Sequence, residues 1–163
     1  MNKHPIYNTI IQNDFDSFKK YIEDGYQIER LLYAVSAKHN RIEFISYLLQ
    51  QEPEEKAWDE LTPVCAAEYG HLECLTFCIE NGCPWDQVTP AFAAGNGHME
   101  CLKYTSEKIG YCAVVKSAIN KQMEAFMYCF RSYKDKHAFW DIPFNLLPGG
   151  EPFETMPKRR YSL

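Results

Sequence analysis

Apolar positions recur along this chain at a helical spacing, and the stripe they form returns five times. One column reads Phe15, Ile42, Leu72, Met99 and Met123. Three residues on, the next reads Phe18, Ile45, Leu75, Leu102 and Phe126; four further on stand Ile22, Leu49, Ile79, Ser106 and Phe130. Positions i, i+3 and i+7 share one face of a helix, so each copy predicts an amphipathic helix with its stripe turned inward. Between the first two columns stands an acid in every copy: Asp16, Glu43, Glu73, Glu100 and Glu124. A first-turn carboxylate favours the positive end of the helix dipole by roughly 0.3–1 kcal/mol, which accounts for the row without a metal.

A shorter apolar segment precedes each of these helices and carries a pair of small residues: Ser36-Ala37, Ala66-Ala67, Ala93-Ala94 and Ser117-Ala118. Small side chains let two helices approach closely, and Gly70 and Gly97 permit the tight turn between them. The best copies run Ala66-Ala67-Glu68-Tyr69-Gly70-His71-Leu72-Glu73-Cys74-Leu75 and Ala93-Ala94-Gly95-Asn96-Gly97-His98-Met99-Glu100-Cys101-Leu102. The expected fold is all-α: a solenoid of about five helix-turn-helix units over 5–29, 30–60, 61–87, 88–112 and 113–141. No unit can bury its apolar face alone, so stacking supplies the core.

Thr62-Pro63, Ala66-Ala67, Gly70-His71-Leu72-Glu73 and Glu80-Asn81-Gly82 resemble the ankyrin-repeat signature, and Thr89-Pro90, Ala93-Ala94 and Gly97-His98-Met99-Glu100 repeat it. With Cys83-Pro84-Trp85-Asp86 the pattern is closest to short divergent ankyrin repeats expanded in amoeba-infecting giant DNA viruses and some protists. The resemblance is strong over 61–107, moderate over 30–60 and weak at both ends. It implies a stack of helix pairs that binds other proteins, with His71 and His98 bonding to the backbone of an inter-repeat turn. Two departures limit it. The best copies are spaced more closely than the usual period of about 33 residues, and Thr-Pro lies one residue nearer the Gly-His pair. A tight loop is therefore expected in place of the family's β-hairpin.

Trp58-Asp59, Trp85-Asp86 and Trp140-Asp141 stand just ahead of new units. The tryptophan is expected to pack over the seam between repeats, and the aspartate to cap the turn or helix that follows. After Asp141 the repeat does not resume. Pro143, Pro148, Gly149, Gly150, Pro152 and Pro157 forbid a long helix, yet Ile142, Phe144, Leu146, Leu147, Phe153 and Met156 are too apolar for a simple linker. The tail 142–163 is expected to cap the last repeat irregularly, or to serve as a linear motif for a partner.

Composition narrows the function class. The net charge of −5 argues against general nucleic-acid binding, and no apolar run reaches membrane-spanning length. Residues 1–101 hold 7 basic and 16 acidic side chains, whereas 102–163 hold 10 and 6. Seven cysteines and no apolar signal stretch in the first ten residues read as reduced thiols in an intracellular, cytoplasmic setting. Pro157-Lys158-Arg159-Arg160 is a weak basic patch of the nuclear-import type.

Catalytic and metal chemistry fare poorly. His71, Cys74 and Cys78 share a helical face near Cys83, but Cys74 and Cys101 occupy one repeat column and read as small core residues rather than zinc ligands. No phosphate loop, His-Glu-x-x-His or Gly-x-Ser-x-Gly motif is present. No cofactor is expected. The side chains least explained by packing precede the turn of each unit: Lys38 and His39, Glu68 and Tyr69, Gly95 and Asn96. Lys38, His39, Glu68, Tyr69, Trp85 and Asn96 are the expected contacts of a protein partner, with Glu68 and the acidic 52–60 connector favouring a basic one. The expected function is a non-catalytic, monomeric interaction module. The alternatives are an adaptor whose tail docks machinery such as a ubiquitin ligase, and a self-associating assembly subunit.

Overall fold

The computed structural model describes residues 4–52 and 56–136, with side chains as far as Tyr133. Within them stand ten α-helices and no strand. The helices are α1 (Pro5–Gln12), α2 (Phe15–Glu23), α3 (Arg30–Lys38), α4 (Ile42–Gln51) and α5 (Leu61–Glu68), then α6 (Leu72–Glu80), α7 (Val88–Asn96), α8 (Met99–Tyr104), α9 (Tyr111–Ile119) and α10 (Met123–Lys136). They pair in chain order into five units. The first helices α1, α3, α5, α7 and α9 pack in one row, and each second helix lies against its own unit.

The five units share one backbone turn. Asn13, Asn40, Gly70, Gly97 and Lys121 occupy a single column, and all five adopt left-handed φ between 55° and 76°. The amide that follows closes each first helix in the same way. Asp14, Arg41, His71, His98 and Gln122 donate to the carbonyls of Thr9, Ser36, Ala66, Ala93 and Ser117 at 2.8–2.9 Å. This satisfies carbonyls that a helix end otherwise leaves unpaired. Where the small-residue pair contains a hydroxyl, it bonds inside its own helix, as Ser36 does to Leu32 O at 2.7 Å and Ser117 to Ala113 O at 2.7 Å. A serine therefore substitutes for a buried alanine without an orphaned donor.

The core runs continuously through the stack, from Ile6, Ile10 and Phe18 through Phe44, Ile45 and Leu75 to Leu102, Val114 and Phe126, all buried. Aromatic rings join the first two units, with Phe15 and Phe18 lying 5.0 and 4.8 Å from Phe44. The first-turn acids stand on all five second helices as expected.

The two describable tryptophans differ. Trp58 is buried against Tyr33, centroids 5.8 Å apart. Glu52 anchors that longer connector by accepting from Tyr33 Oη at 2.9 Å and from Ala57 N at 3.2 Å. Trp85 stays half-buried, because Pro63 occupies the next unit's counterpart of Tyr33. Both aspartates cap as expected: Asp59 accepts from Leu61 N at 3.0 Å and Asp86 from Val88 N at 2.8 Å. Trp140, Asp141 and the tail 142–163 lie outside the described residues.

One helix is shorter than the apolar stripe predicts. α8 stops at Tyr104, and Ser106 opens a 3₁₀ turn, Ser106–Lys108. The third unit ends its second helix through Gly82 at φ +83°, whereas the fourth unit has Ile109 in that column. The isoleucine cannot take the left-handed turn cheaply and is buried instead.

Candidate protein-binding face

The first helices bury one side against their second-helix partners and leave the other uncovered. Lys38, Glu68 and Gly95 hold equivalent positions near the C-terminal ends of α3, α5 and α7, with Tyr69 and Asn96 one residue on. Lys38 and Tyr69 come from adjacent units and meet. Lys38 Nζ lies 4.9 Å from the Tyr69 ring centroid, and the Tyr69 hydroxyl holds the ammonium pKa above its usual value. On its other side the Tyr69 ring stacks on His71, 16° from parallel with centroids 6.5 Å apart. Tyr69 is thereby oriented from both sides while 43% of its surface remains exposed. Such a pre-positioned aromatic suits an interface anchor.

Glu68 is half-buried, and its charge reaches both Lys38 and Lys116. Lys116 lies across the Phe92 ring, 2.8 Å from its centroid. Burial pulls its ammonium pKa down. Asn96 is exposed and donates to Phe92 O at 2.9 Å. His39 is half-buried at the end of α3. Trp85 is not part of this group. It sits at the N-terminal end of the helix row, where Lys108 covers its ring at 3.8 Å and donates to its carbonyl at 3.0 Å.

A further row went unnoticed in the sequence. Leu31, Leu61 and Val88 open α3, α5 and α7 and are 42%, 37% and 39% exposed; Cys112 continues the column, also exposed. These positions lie seven residues ahead of Lys38, Glu68, Gly95 and Ile119, on the same helix face. Between the two ends come half-buried Val35, Cys65 and Phe92. The uncovered face is thus apolar along its length and carries Lys38, Glu68 and Lys116 as fixed charges. The spacing of seven was available in the sequence, but apolar residues at that spacing read as core.

The turn side chains tie each unit to the one before. Arg41 Nη2 donates to Ile11 O at 3.5 Å, His71 Nε2 lies 3.0 Å from Lys38 O, His98 Nε2 lies 3.0 Å from Glu68 O, and Asn120 Nδ2 donates to Gly95 O at 2.8 Å. Ile11, Lys38, Glu68 and Gly95 are one column, so four different bonds fix one register.

Residues 64–104 match the family model of ankyrin repeats (many copies). The match runs from within α5 through α8 and so covers the third and fourth units, the segment whose motifs carry the resemblance. Ankyrin repeats generally mediate protein–protein interaction and are typically non-catalytic. No curated protein matches the chain. His71 and His98, the histidines of the ankyrin-like motif, bond to backbone as the resemblance implies, although the carbonyl belongs to the preceding unit's first helix.

Among the described residues no three His, Cys, Asp or Glu side chains stand in metal-binding reach of one another. Of the candidate zinc set, His71 is committed to Lys38 O, Cys83 Sγ donates to Asp59 O at 3.4 Å, and Cys74 and Cys78 are buried in the core. No helix among the described residues is long and apolar enough to cross a membrane.

Proposed function

We propose that this protein is a non-catalytic interaction module that binds an intracellular protein partner through its first-helix face. The observation that carries this reading is the alignment of Leu31, Leu61 and Val88 with the oriented Tyr69 on one uncovered surface. Four aligned units present that surface as an extended apolar strip, a shape that suits a partner chain better than a small molecule. Tyr69 and the apolar row supply burial, while Lys38, Glu68 and Lys116 fix the partner's register. The excess of acids over residues 1–101 favours a basic partner. His39 and Asn96 complete the contact set, and Trp85 stands apart at the N-terminal end of the helix row. Resemblance to giant-virus repeats makes a host-cell protein the partner class to screen.

Affinity capture from host-cell lysate with mass spectrometry tests the reading, comparing the full chain with one ending at Asp141. Partners kept by both support recognition by the repeats. Partners lost with residues 142–163 favour the adaptor alternative and count against it.

A further inference from the structure

The uncovered first-helix face is polarised across its width. The helices α3, α5, α7 and α9 lie in one row, with their N-terminal ends along one edge and their C-terminal ends along the other. On the N-terminal edge stand exposed Glu60, Asp86 and Glu107. The cations of that edge are committed, Arg30 to Asp59 at 3.3 Å and Lys108 to the Trp85 ring. On the C-terminal edge stand Lys38, Lys116 and Lys121, with Glu68 between the first two. The helix dipoles place about half a charge of opposite sign at each end, less than the whole charges that stand there. Between the edges runs the apolar strip of Leu31, Leu61 and Val88 with half-buried Val35, Cys65 and Phe92.

We propose that the occupant of this face is one amphipathic α-helix of a partner protein, lying along the row of units, with basic residues on one flank and acidic residues on the other. This rests on the first-helix face being the binding face and specifies what lies on it.

Backbone chemistry selects a helix. The first helices spend their amides and carbonyls internally, so the strip offers a partner no ladder of backbone bonds. An extended segment laid there would bury its own N–H and C=O groups unpaired, whereas a helix satisfies them within itself. The dimensions agree. Leu61 and Glu68 lie about 10 Å apart along α5 at ~1.5 Å per residue, and a helix with its side chains is about 10–12 Å across. Both flanks of one helix therefore reach a charged edge at once. Packed helices lie about 8–10 Å apart, so α3 to α9 spans about 24–30 Å, or roughly 16–20 helical residues. Apolar residues seven apart on the partner rise about 10 Å, so one meets each unit in turn.

The charges then set the flanks. A helix basic on both sides would meet Lys38, Lys116 and Lys121 along one edge, and an acidic one would meet Glu60, Asp86 and Glu107 along the other. Like charges rejected in this way give specificity. The cations expected of the partner are thereby placed on a single flank.

Selection of random peptides of about 20 residues, displayed on phage, against the full chain tests this. Enriched peptides should carry apolar residues at i, i+3, i+4 and i+7 with opposite charge on the two flanks, and should gain helical circular dichroism on binding. Glu60→Lys and Lys38→Glu should each weaken them by about threefold or more, with the larger effect at low salt. Binding should be lost with Leu61→Glu/Val88→Glu, whose folding is checked by its thermal midpoint. Peptides that still bind this variant would overturn the choice of face and the helix with it. Peptides lost with it but extended when bound, charged with one sign only, or indifferent to both charge variants would overturn the helix and leave the face standing. No enrichment would overturn the proposal, and dimerisation abolished by Leu61→Glu/Val88→Glu would then assign the face to a second copy.

Discussion

His98 lies directly over Gly70 of the preceding unit, and a Cβ on that glycine would come within 2.6 Å of His98 Nδ1. The histidine reaches this place because its Nε2 is held 3.0 Å from Glu68 O. Gly70 is therefore required twice, by its φ of +76° and by the ring above it.

Gly70→Ala should accordingly cost about 2 kcal/mol or more, since left-handed strain alone costs roughly 1–2 kcal/mol. Gly82→Ala has the strain, at φ +83°, but nothing within 4 Å of its Cβ, and should cost less. Urea unfolding of the two variants side by side checks the order. Equal losses would remove the role of the His98 contact.

Lys121 holds the same left-handed turn in the fifth unit at φ 57° without glycine's freedom. Lys121→Gly should raise stability by about 0.5 kcal/mol, the relieved strain exceeding glycine's entropic cost. Thermal unfolding measures the shift, and a lower midpoint contradicts it.

The Thr89 hydroxyl is fully buried with no hydrogen-bond partner. Thr89→Val keeps the shape and removes the unpaired group, so stability should hold or rise by about 1 kcal/mol. A loss above about 1 kcal/mol in denaturant unfolding would mean that the hydroxyl is in fact bonded.

Burial pushes the thiols of Cys65 and Cys101 up to about 11 and those of Cys83 and Cys129 up to about 12. A pKa raised in the folded state means that folding retains protons which the unfolded chain gives up. This stability is complete below the ordinary thiol pKa near 9 and is lost as pH rises towards 11–12. The denaturation midpoint should fall between pH 8 and pH 10.5, and Cys129→Ala should flatten the fall. At pH 8 the exposed Cys112 should alkylate first, with Cys74 and Cys78 reacting only on unfolding.

Much of the fold was legible because the repeat speaks through several independent columns. Phe15, Ile42, Leu72, Met99 and Met123 located the second helices, and the turn glycines located the break before them. Asp59 and Asp86 were readable as caps from position alone. The binding face was only half legible. Lys38, Glu68 and Tyr69 stood out because packing did not explain them, whereas Leu31, Leu61 and Val88 looked like core until the stack showed which side of α3, α5 and α7 it leaves open. Trp58 and Trp85 share one motif yet differ in burial. What decides between them is whether Tyr33 or Pro63 stands on the first helix of the unit, and not the motif itself.

The face is tested most directly by partner capture with Leu61→Glu/Val88→Glu. Both residues open a helix, where a carboxylate is favourable, so the variant should fold as well as wild type. The account predicts that proteins held by the wild-type chain are lost by this variant and kept by Glu43→Gln, on the opposite layer. The same partners held at full strength by Leu61→Glu/Val88→Glu would contradict it.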